Sequence, residues 1–342
     1  MRSRILVINR ASVVRNGGVS RSVEERLLEP LCRLPHVEVE LVSENAFLSV
    51  SLLRVSSVVL NRPHSEESLR IISIARKSGL KVIIDVDDLP IYYVKGDSAY
   101  LTENKKQWFL EALASADTIV CSTEAIRLWV NERFSKTLIQ VIPTGYDFAQ
   151  MDSLLSQPIP QTENSLVFTN TGTIKLGNFR HAWLETMKES LNRHRKKLDL
   201  YADFLEAYPE GFPYRYLGNA PWLQHKGLLR RSSYLGAVVP LASSEDREHL
   251  EYAKFKTPIK FIIYGGLGIP AIYSRSPIYE QCVVNGETGY LVENTEIGWQ
   301  SALESLITNR NEAERIRKQA FEHVRSVYDI DKCLKLWAEV IS

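Results

Sequence analysis

The stretch AKFKTPIKFIIYGGLGIPAIYSRSPIYEQCVVNGETGYLV, residues 253–292, decides the fold class of this chain. Its first part predicts a helix that runs into a group of glycines and must stop at Pro270. The next four residues, Ala271–Ser274, are typical of a short buried strand. A second turn at residues 285–289 is followed by renewed apolar character. A helix, a glycine turn and a strand make half of an α/β unit.

Two lysines stand near the start of this stretch. Lys256 and Lys260 are four residues apart, so on a helix their ammonium groups would lie on one face, one turn apart. That geometry requires Pro258 to fall in the first turn, where proline is tolerated. Because two neighbouring like charges favour an anion, the spacing predicts an anion site.

The string KTPIKFIIYGGLGIPAIYS, followed by VVNGETGYLV, resembles the nucleotide-sugar half of GT-B glycosyltransferases. The resemblance is strongest to the large retaining family 4, glycosyl transferases group 1. Its members transfer a sugar from a nucleotide diphosphate donor to an acceptor. Their usual pattern is lysine-serine-x-x-lysine-x-x-glutamate-tyrosine, and its glutamate holds the donor ribose. This chain departs from the pattern there, with Ile263 at the position of the glutamate.

Bulk composition excludes several classes of protein. Lys and Arg total 42 against 41 Asp and Glu, for a net charge of +1, so no strong basic field points to nucleic acid. The four cysteines lack any pairing or metal spacing, which is typical of a reducing compartment and predicts no zinc site. Residues 1–8 begin a strand rather than a signal peptide, and no stretch is long enough to span a membrane. We expect a cytoplasmic protein. Arginines in the first 36 residues leave peripheral contact with the inner face of a membrane open.

A length of 342 residues is comfortable for two domains. Strands and helices alternate twice along the chain, and the best linker is the polar, proline-containing stretch 151–164. The resemblance implies two Rossmann-like α/β domains facing a cleft. Residues 1–150 would form the acceptor side and 165–327 the nucleotide-sugar domain, with 328–342 as a helix crossing back to the first domain. The sequence does not decide the oligomeric state.

The first domain offers two groups of candidate residues. Gly17 and Gly18 precede a predicted helix, whose N-terminal amides could bind phosphate, although a plain tight turn is as consistent with the pair. Asp85, Asp87 and Asp88 follow a predicted strand at the edge where α/β sheets keep their ligands. From the residues alone, three carboxylates could hold a metal or sugar hydroxyls, or cap a helix as exposed acid. The resemblance to GT-B proteins, which generally work without a bound metal, implies a contact with the acceptor or sugar.

The second domain repeats the arrangement of strand, glycine loop and lysine. Gly172 and Thr173 lie in that loop. By resemblance, Lys175 would face the donor phosphates with Arg180 behind it, and a solvated loop lysine is an equal alternative. The predicted substrate-binding set is completed by Tyr264, Ser276 and Tyr279.

The leading hypothesis is sugar transfer from a nucleotide diphosphate donor to a glycan or lipid-linked acceptor, as in surface polysaccharide synthesis. Lys256, Lys260 and Asp85 are the catalytic candidates. The lysines would stabilise the charge of the departing diphosphate electrostatically. The resemblance implies retention and no metal or cofactor beyond the nucleotide-sugar co-substrate. The main alternative, suggested by Ile263, is a catalytically degenerate protein that binds or stabilises another glycosyltransferase. An epimerase and a purely structural pair of domains are weaker alternatives.

Overall fold

The chain divides into two compact units. A computed structural model describes residues 3–9, 21–48, 52, 54–93, 100–153, 165–170, 176–202, 207–218, 222–230, 232–241 and 247–342. The first unit contains Met1–Gly145, Phe255–Thr257 and Ile330–Ser342; the second contains Tyr146–Lys254 and Pro258–Asp329. Within the described ranges, no helix has the length and apolar character that crossing a membrane requires.

The first unit is built on a six-stranded parallel sheet with the order β2-β1-β3-β4-β5-β6. Its strands are β1 Ser3–Asn9, β2 Val37–Ser43, β3 Ser57–Asn61, β4 Lys81–Val86, β5 Thr118–Cys121 and β6 Leu138–Val141. Its helices are α1 Arg21–Val23 and α2 Glu29–Leu31, joined by the π-helical turn Glu24–Leu28, then α3 Glu66–Lys77, α4 Glu103–Ala114 and α5 Glu124–Arg133.

Both faces of this sheet are covered, because successive side chains of a strand point to opposite sides. Along β1, Leu6 and Ile8 enter one apolar cluster, whereas Ile5 and Val7 enter another. The central strands are therefore apolar throughout rather than alternating, as buried parallel strands are.

The second unit repeats the architecture with the strand order β12-β11-β10-β7-β8-β9, again all parallel. Its strands are β7 Ser165–Asn170, β8 Lys197–Ala202, β9 Tyr214–Gly218, β10 Gly236–Val239, β11 Ala271–Ser274 and β12 Tyr290–Val292. Its helices are α6 Phe148–Ser153, α7 Arg180–Arg193, α8 Trp222–Arg230, α9 Arg247–Lys254, α10 Ile259–Gly266, α11 Pro277–Glu280, α12 Glu296–Thr308 and α13 Arg310–Val327.

The last helix, α14 Ile330–Ile341, belongs to the first unit. Its Trp337 is almost fully buried in the apolar cluster that contains Ile5 and Val7. The second unit begins at Tyr146 and includes α6, so the division falls a few residues before the predicted end at residue 150. Most of the predicted linker, residues 154–164, lies outside the described residues. The predicted fold class of two Rossmann-like α/β domains is confirmed.

The glycines of the decisive stretch serve close packing. Gly265 and Gly266 are the last two residues of α10. A Cβ on Gly266 would come within 2.7 Å of the Tyr146 ring, and one on Gly265 would come within 2.7 Å of Val324 Cγ2 on α13. These two positions therefore admit no side chain without displacement of a neighbour. The turn that ends the helix is made by Gly268, whose φ of 65° is in the left-handed region.

Gly265→Ala is expected to lower the free energy of unfolding slightly. Overpacking of a core costs about 1–3 kcal/mol, while replacing glycine by alanine in a helix returns about 1 kcal/mol. In a Val324→Ala background the new methyl occupies the vacated space, so the same substitution should stabilise the protein. Urea denaturation of the two single variants and the double variant gives the change in the free energy of unfolding that Gly265→Ala causes in each background. Additive losses would contradict this account of the contact.

Candidate functional site

Lys256 and Lys260 do not share a helix face. Pro258 precedes the first turn of α10, so Lys256 lies outside the helix and Lys260 lies in its first turn. The two lysines even belong to different units, because Phe255–Thr257 is part of the first. The predicted pairing on one helix was therefore wrong: proline forms the boundary of the helix rather than a residue within its first turn.

Lys256 joins a polar network at the carboxyl end of β4. Its Nζ lies 3.2 Å from Asp88 Oδ2 and 5.8 Å from the centroid of the Tyr93 ring. The backbone N–H of Thr257 donates to the other carboxylate oxygen of Asp88 at 3.1 Å. The Thr257 hydroxyl donates to the backbone carbonyl of Asp87 at 2.7 Å. The end of β4 thus holds the Phe255–Thr257 segment in the first unit.

Asp85 is fully buried at the end of β4 and pairs with Arg26. The Nη2 of Arg26 lies 2.5 Å from Asp85 Oδ1, and its Nε contacts both carboxylate oxygens at 3.1 Å. The Asn61 amide donates to Asp85 Oδ2 at 2.7 Å. Burial raises the pKa of Asp85, and the charge and hydrogen bonds of Arg26 oppose that rise. The predicted catalytic candidate therefore lies in the core, where it anchors the neighbouring guanidinium.

Arg62 organises the other two carboxylates. Its Nε lies 2.8 Å from Asp87 Oδ1, and its Nη1 lies 3.7 Å from Asp88 Oδ2 and donates to Tyr93 Oη at 2.7 Å. Burial of Asp87 would raise its pKa, but the charges of Arg62 and Arg26 lower it below the ordinary value. Arg62 has a φ of 44°, a conformation that costs energy and is maintained here by these contacts.

The acidic group at the end of β4 is charge-compensated. Three carboxylates meet three cations: Arg26, Arg62 and Lys256. Among the described residues, no cluster of His, Cys, Asp and Glu suits a metal ion. Sequence reasoning missed Arg26 and Arg62. For Arg62 a signal existed, since it directly follows the apolar strand β3, at the same edge of the sheet.

In the second unit, polar side chains converge on Thr169 near the end of β7. The Lys260 Nζ donates to the Thr169 carbonyl, and the Thr169 N–H donates to Tyr264 Oη at 3.2 Å. His225 Nε2 lies 3.2 Å from Thr169 Oγ1. The amide, carbonyl and hydroxyl of this one residue therefore all bind side chains.

The pairing of β7 explains why side chains are needed there. The recorded pairs with β10 end at Val167, opposite Ala237, so Thr169 lies two residues beyond the last pair. The amide and carbonyl of Thr169 are bound by side chains instead. Lys260 and Tyr264 can both reach Thr169 because residues four apart share a helix face. The spacing argument that failed for Lys256 holds for this pair.

Tyr264, predicted to bind substrate, lies in the core with its hydroxyl bound to the Thr169 amide. Its side chain is almost fully buried, and burial raises its pKa to about 12. The neighbouring Ile263, at the position where the resemblance implies a glutamate, also packs in the apolar core of the second unit.

A second group of polar residues fastens the ends of β10, β11 and β12 together. Ser274 Oγ accepts from the Leu241 N–H at 2.9 Å and donates to Asn294 Oδ1 at 2.8 Å. The Asn294 amide donates to the Leu241 carbonyl at 2.9 Å, and the Trp299 indole donates to Asn294 Oδ1 at 3.2 Å. Sequence reasoning missed Ser274 and Asn294 because their roles depend on contacts between separate strand ends.

Ser276 and Tyr279 lie at the same carboxyl edge, after β11. The Ser276 side chain is 2% exposed, and its hydroxyl has no hydrogen-bond partner within the described ranges. Tyr279 packs on Tyr273 with ring centroids 4.7 Å apart. The turn at residues 285–289 closes on itself, with the Gly286 N–H donating to the Gly289 carbonyl at 2.8 Å.

Five other predicted site residues lie outside the described residues: Gly17, Gly18, Gly172, Thr173 and Lys175. Arg180 begins α7, and its Nη2 donates to the Ala207 carbonyl at 3.3 Å.

Comparisons with known proteins give structural likeness only. No family model matches the sequence, and no curated protein matches it. Sucrose-phosphate synthase (tll1590) from Thermosynechococcus elongatus is similar with a TM-score of 0.71 at 12% identity, over 99% of this chain and 98% of that chain. HepE (Alr3699) of Anabaena, in complex with UDP and glucose, gives 0.64 at 12% identity over 99% of both chains. TarM of S. aureus gives 0.61 at 12% identity, over 86% of this chain and 58% of that chain.

At this level of identity the likeness shows the fold alone. Two parallel six-stranded sheets with flanking helices, matched over almost the whole chain, are the architecture of the GT-B glycosyltransferases. The GT-B fold that the resemblance implied is confirmed.

Proposed function

We propose that this protein is a glycosyltransferase that uses a nucleotide diphosphate sugar, with the donor diphosphate bound at the carboxyl edge of the second sheet. The observation that carries the proposal is the position of Lys260. Its ammonium group is held on the Thr169 carbonyl, at the end of a central strand, where α/β folds bind their ligands. A carbonyl oxygen is a weaker partner for this cation than a phosphate oxygen, which carries charge.

The chemistry follows from that position. In the transfer, the bond between the anomeric carbon and the diphosphate oxygen breaks and its electron pair leaves with the diphosphate. An acceptor hydroxyl oxygen bonds to that carbon, and its proton passes to the leaving diphosphate. Negative charge develops on the leaving diphosphate, and a preorganised cation stabilises it. Lys260 would supply that charge without itself transferring a proton. Retention of anomeric configuration and independence from metal ions are part of the proposal by resemblance to family 4.

The Ser276 hydroxyl supports the same location. A buried hydroxyl without a partner costs free energy unless a ligand or water satisfies it. Ser276 follows β11, in the same sheet as β7, and its side chain has no partner among the residues described. We propose that it donates to the bound donor.

For the acceptor, we propose a glycan or a lipid-linked glycan. TarM was solved with alpha-GlcNAc-glycerol and UDP, and HepE with UDP and glucose. Those ligands belong to those proteins; here they support uridine diphosphate sugars as the first donors to test.

A thermal-shift panel of nucleoside diphosphates and their sugars tests the donor site. Binding to the folded state raises stability by about 2.7 kcal/mol at a ligand concentration one hundred times the dissociation constant. We expect UDP or another nucleoside diphosphate to raise the melting temperature. Incubation of the best donor with lipid-linked acceptors then tests transfer. Stabilisation by no nucleotide would sink the proposal, and stabilisation without transfer to any acceptor would favour the non-catalytic binding protein instead.

A further inference from the structure

His225 forms a hydrogen bond with Thr169, the residue whose carbonyl binds Lys260. The proposed transfer of sugar does not by itself require this hydrogen bond. His225 lies on α8 and is 2% exposed, with its ring edge-on to Tyr201 at a centroid distance of 4.7 Å. Its Nε2 lies 3.2 Å from Thr169 Oγ1. This contact connects the buried ring to the partly buried side chain of Thr169 near the end of β7.

Thr169 is placed to transmit an effect of His225 to a ligand. Its amide and carbonyl are already bound by Tyr264 and Lys260, so its backbone is held from one side. The side chain of Thr169 is only partly buried, unlike the four residues before it. Its hydroxyl can donate one hydrogen bond and accept two. Which of these it offers to a ligand depends on what His225 takes.

We propose that His225 is a positioning residue for the donor diphosphate: its Nε2–H donates to Thr169 Oγ1 and leaves the threonine O–H to donate to a phosphate oxygen beside Lys260. With the opposite tautomer, the O–H would be spent on Nε2 and the threonine could only accept, which a phosphate oxygen cannot use. The tautomer of a buried histidine thus determines whether Thr169 is a donor at this site. The inference rests on the proposed donor site and adds a determinant of diphosphate recognition to it.

Four variants of the full-length protein isolate this hydrogen bond. His225→Leu removes the donor, and His225→Gln places an amide N–H close to the position of Nε2. Thr169→Val removes the hydroxyl at nearly constant shape, and Thr169→Ser keeps it. His194→Gln is the matched control, because His194 pairs with Glu304 just before the start of β8, at the opposite edge of the sheet.

The measurement is the dissociation constant for UDP and for uridine, by calorimetric titration. A hydrogen bond to a charged group contributes enough to change affinity roughly tenfold. We expect His225→Leu and Thr169→Val each to weaken UDP about tenfold and to leave uridine unchanged. His225→Gln and Thr169→Ser should recover most of the affinity. The Leu and Val changes combined should weaken UDP no more than the larger single effect, since both delete one interaction.

Three results would overturn the inference. If His225→Leu bound UDP with the wild-type affinity, His225 would have no effect on diphosphate binding. If the variant weakened the binding of UDP and of uridine equally, the role of His225 would be merely structural. Additive losses in the double variant would show that the two side chains act separately. The failure of the proposed function is recognised differently: wild-type protein would bind none of the nucleoside diphosphates, and both proposals would then fall.

Discussion

Asp85→Ala is expected to lower the free energy of unfolding by about 3–5 kcal/mol, because it removes the carboxylate that forms the buried ion pair with the Arg26 guanidinium. The two side chains are 0% and 2% exposed, and their closest N–O distance is 2.5 Å. Arg26 also donates to the Ile142 carbonyl at 3.0 Å and to Thr144 Oγ1 at 3.3 Å, so it cannot turn out to solvent without losing further bonds. Urea denaturation at neutral pH provides the measurement.

The double variant Arg26→Met with Asp85→Leu distinguishes loss of the pair from loss of either partner. Apolar replacement of a whole buried ion pair is often neutral or stabilising, so the double variant should be more stable than either single alanine variant. Arg70→Ala serves as the control, since Arg70 pairs with Glu67 on an exposed helix surface and its removal should leave the urea midpoint nearly unchanged. If Asp85→Ala and the wild type have the same urea midpoint of unfolding, the ion pair does not stabilise the fold.

The same variant bears on the earlier expectation that Asp85 is catalytic. Below its midpoint of unfolding, Asp85→Ala should still bind UDP, because the carboxylate lies in the first unit and is wholly occupied by Arg26 and Asn61. Loss of UDP binding by a demonstrably folded variant would restore a direct role for this carboxylate.

Lys260→Ala is expected to reduce kcat/KM for the donor by roughly 100-fold or more, the usual effect of removing one preorganised group that stabilises developing charge. The affinity for UDP should fall as well, since Lys260 would contact the diphosphate in the ground state too. The physical reason is its location in the first turn of α10, with its ammonium group at the end of β7. Steady-state kinetics with the best donor, together with UDP titration, separates the two effects.

Two other lysines complete this experiment. Lys318 is exposed on α13 of the same unit, and Lys318→Ala should match the wild type in both measurements. Lys256→Ala tests the original idea of a paired site. Because Lys256 is bound to Asp88 in the first unit, we expect a smaller loss of UDP affinity than for Lys260→Ala. Equal losses in the two variants would mean that both cations grip one diphosphate, and a wild-type rate for Lys260→Ala would refute its assigned role.

The sequence by itself determined the fold class and most of its elements. Short apolar runs such as Ala271–Ser274 indicate strands that are buried on both faces, and glycine and proline mark where the helices between them end. These signals are local: each lies in a few consecutive residues and can be recognised without knowing which elements pack against each other. The resemblance in residues 253–292 likewise depends on local order along the chain.

Only the tertiary structure decided which charged groups meet. Arg26 and Asp85 are 59 residues apart in the chain, and Lys260 reaches a carbonyl 91 residues away. No periodicity encodes such distances, because they depend on the strand order and on where the pairing between neighbouring strands ends. The position of Pro258 decided where the two lysines lie. Because α10 begins just after this proline, Lys256 is outside the helix and belongs to a different unit from Lys260, although their spacing fits a single helix face.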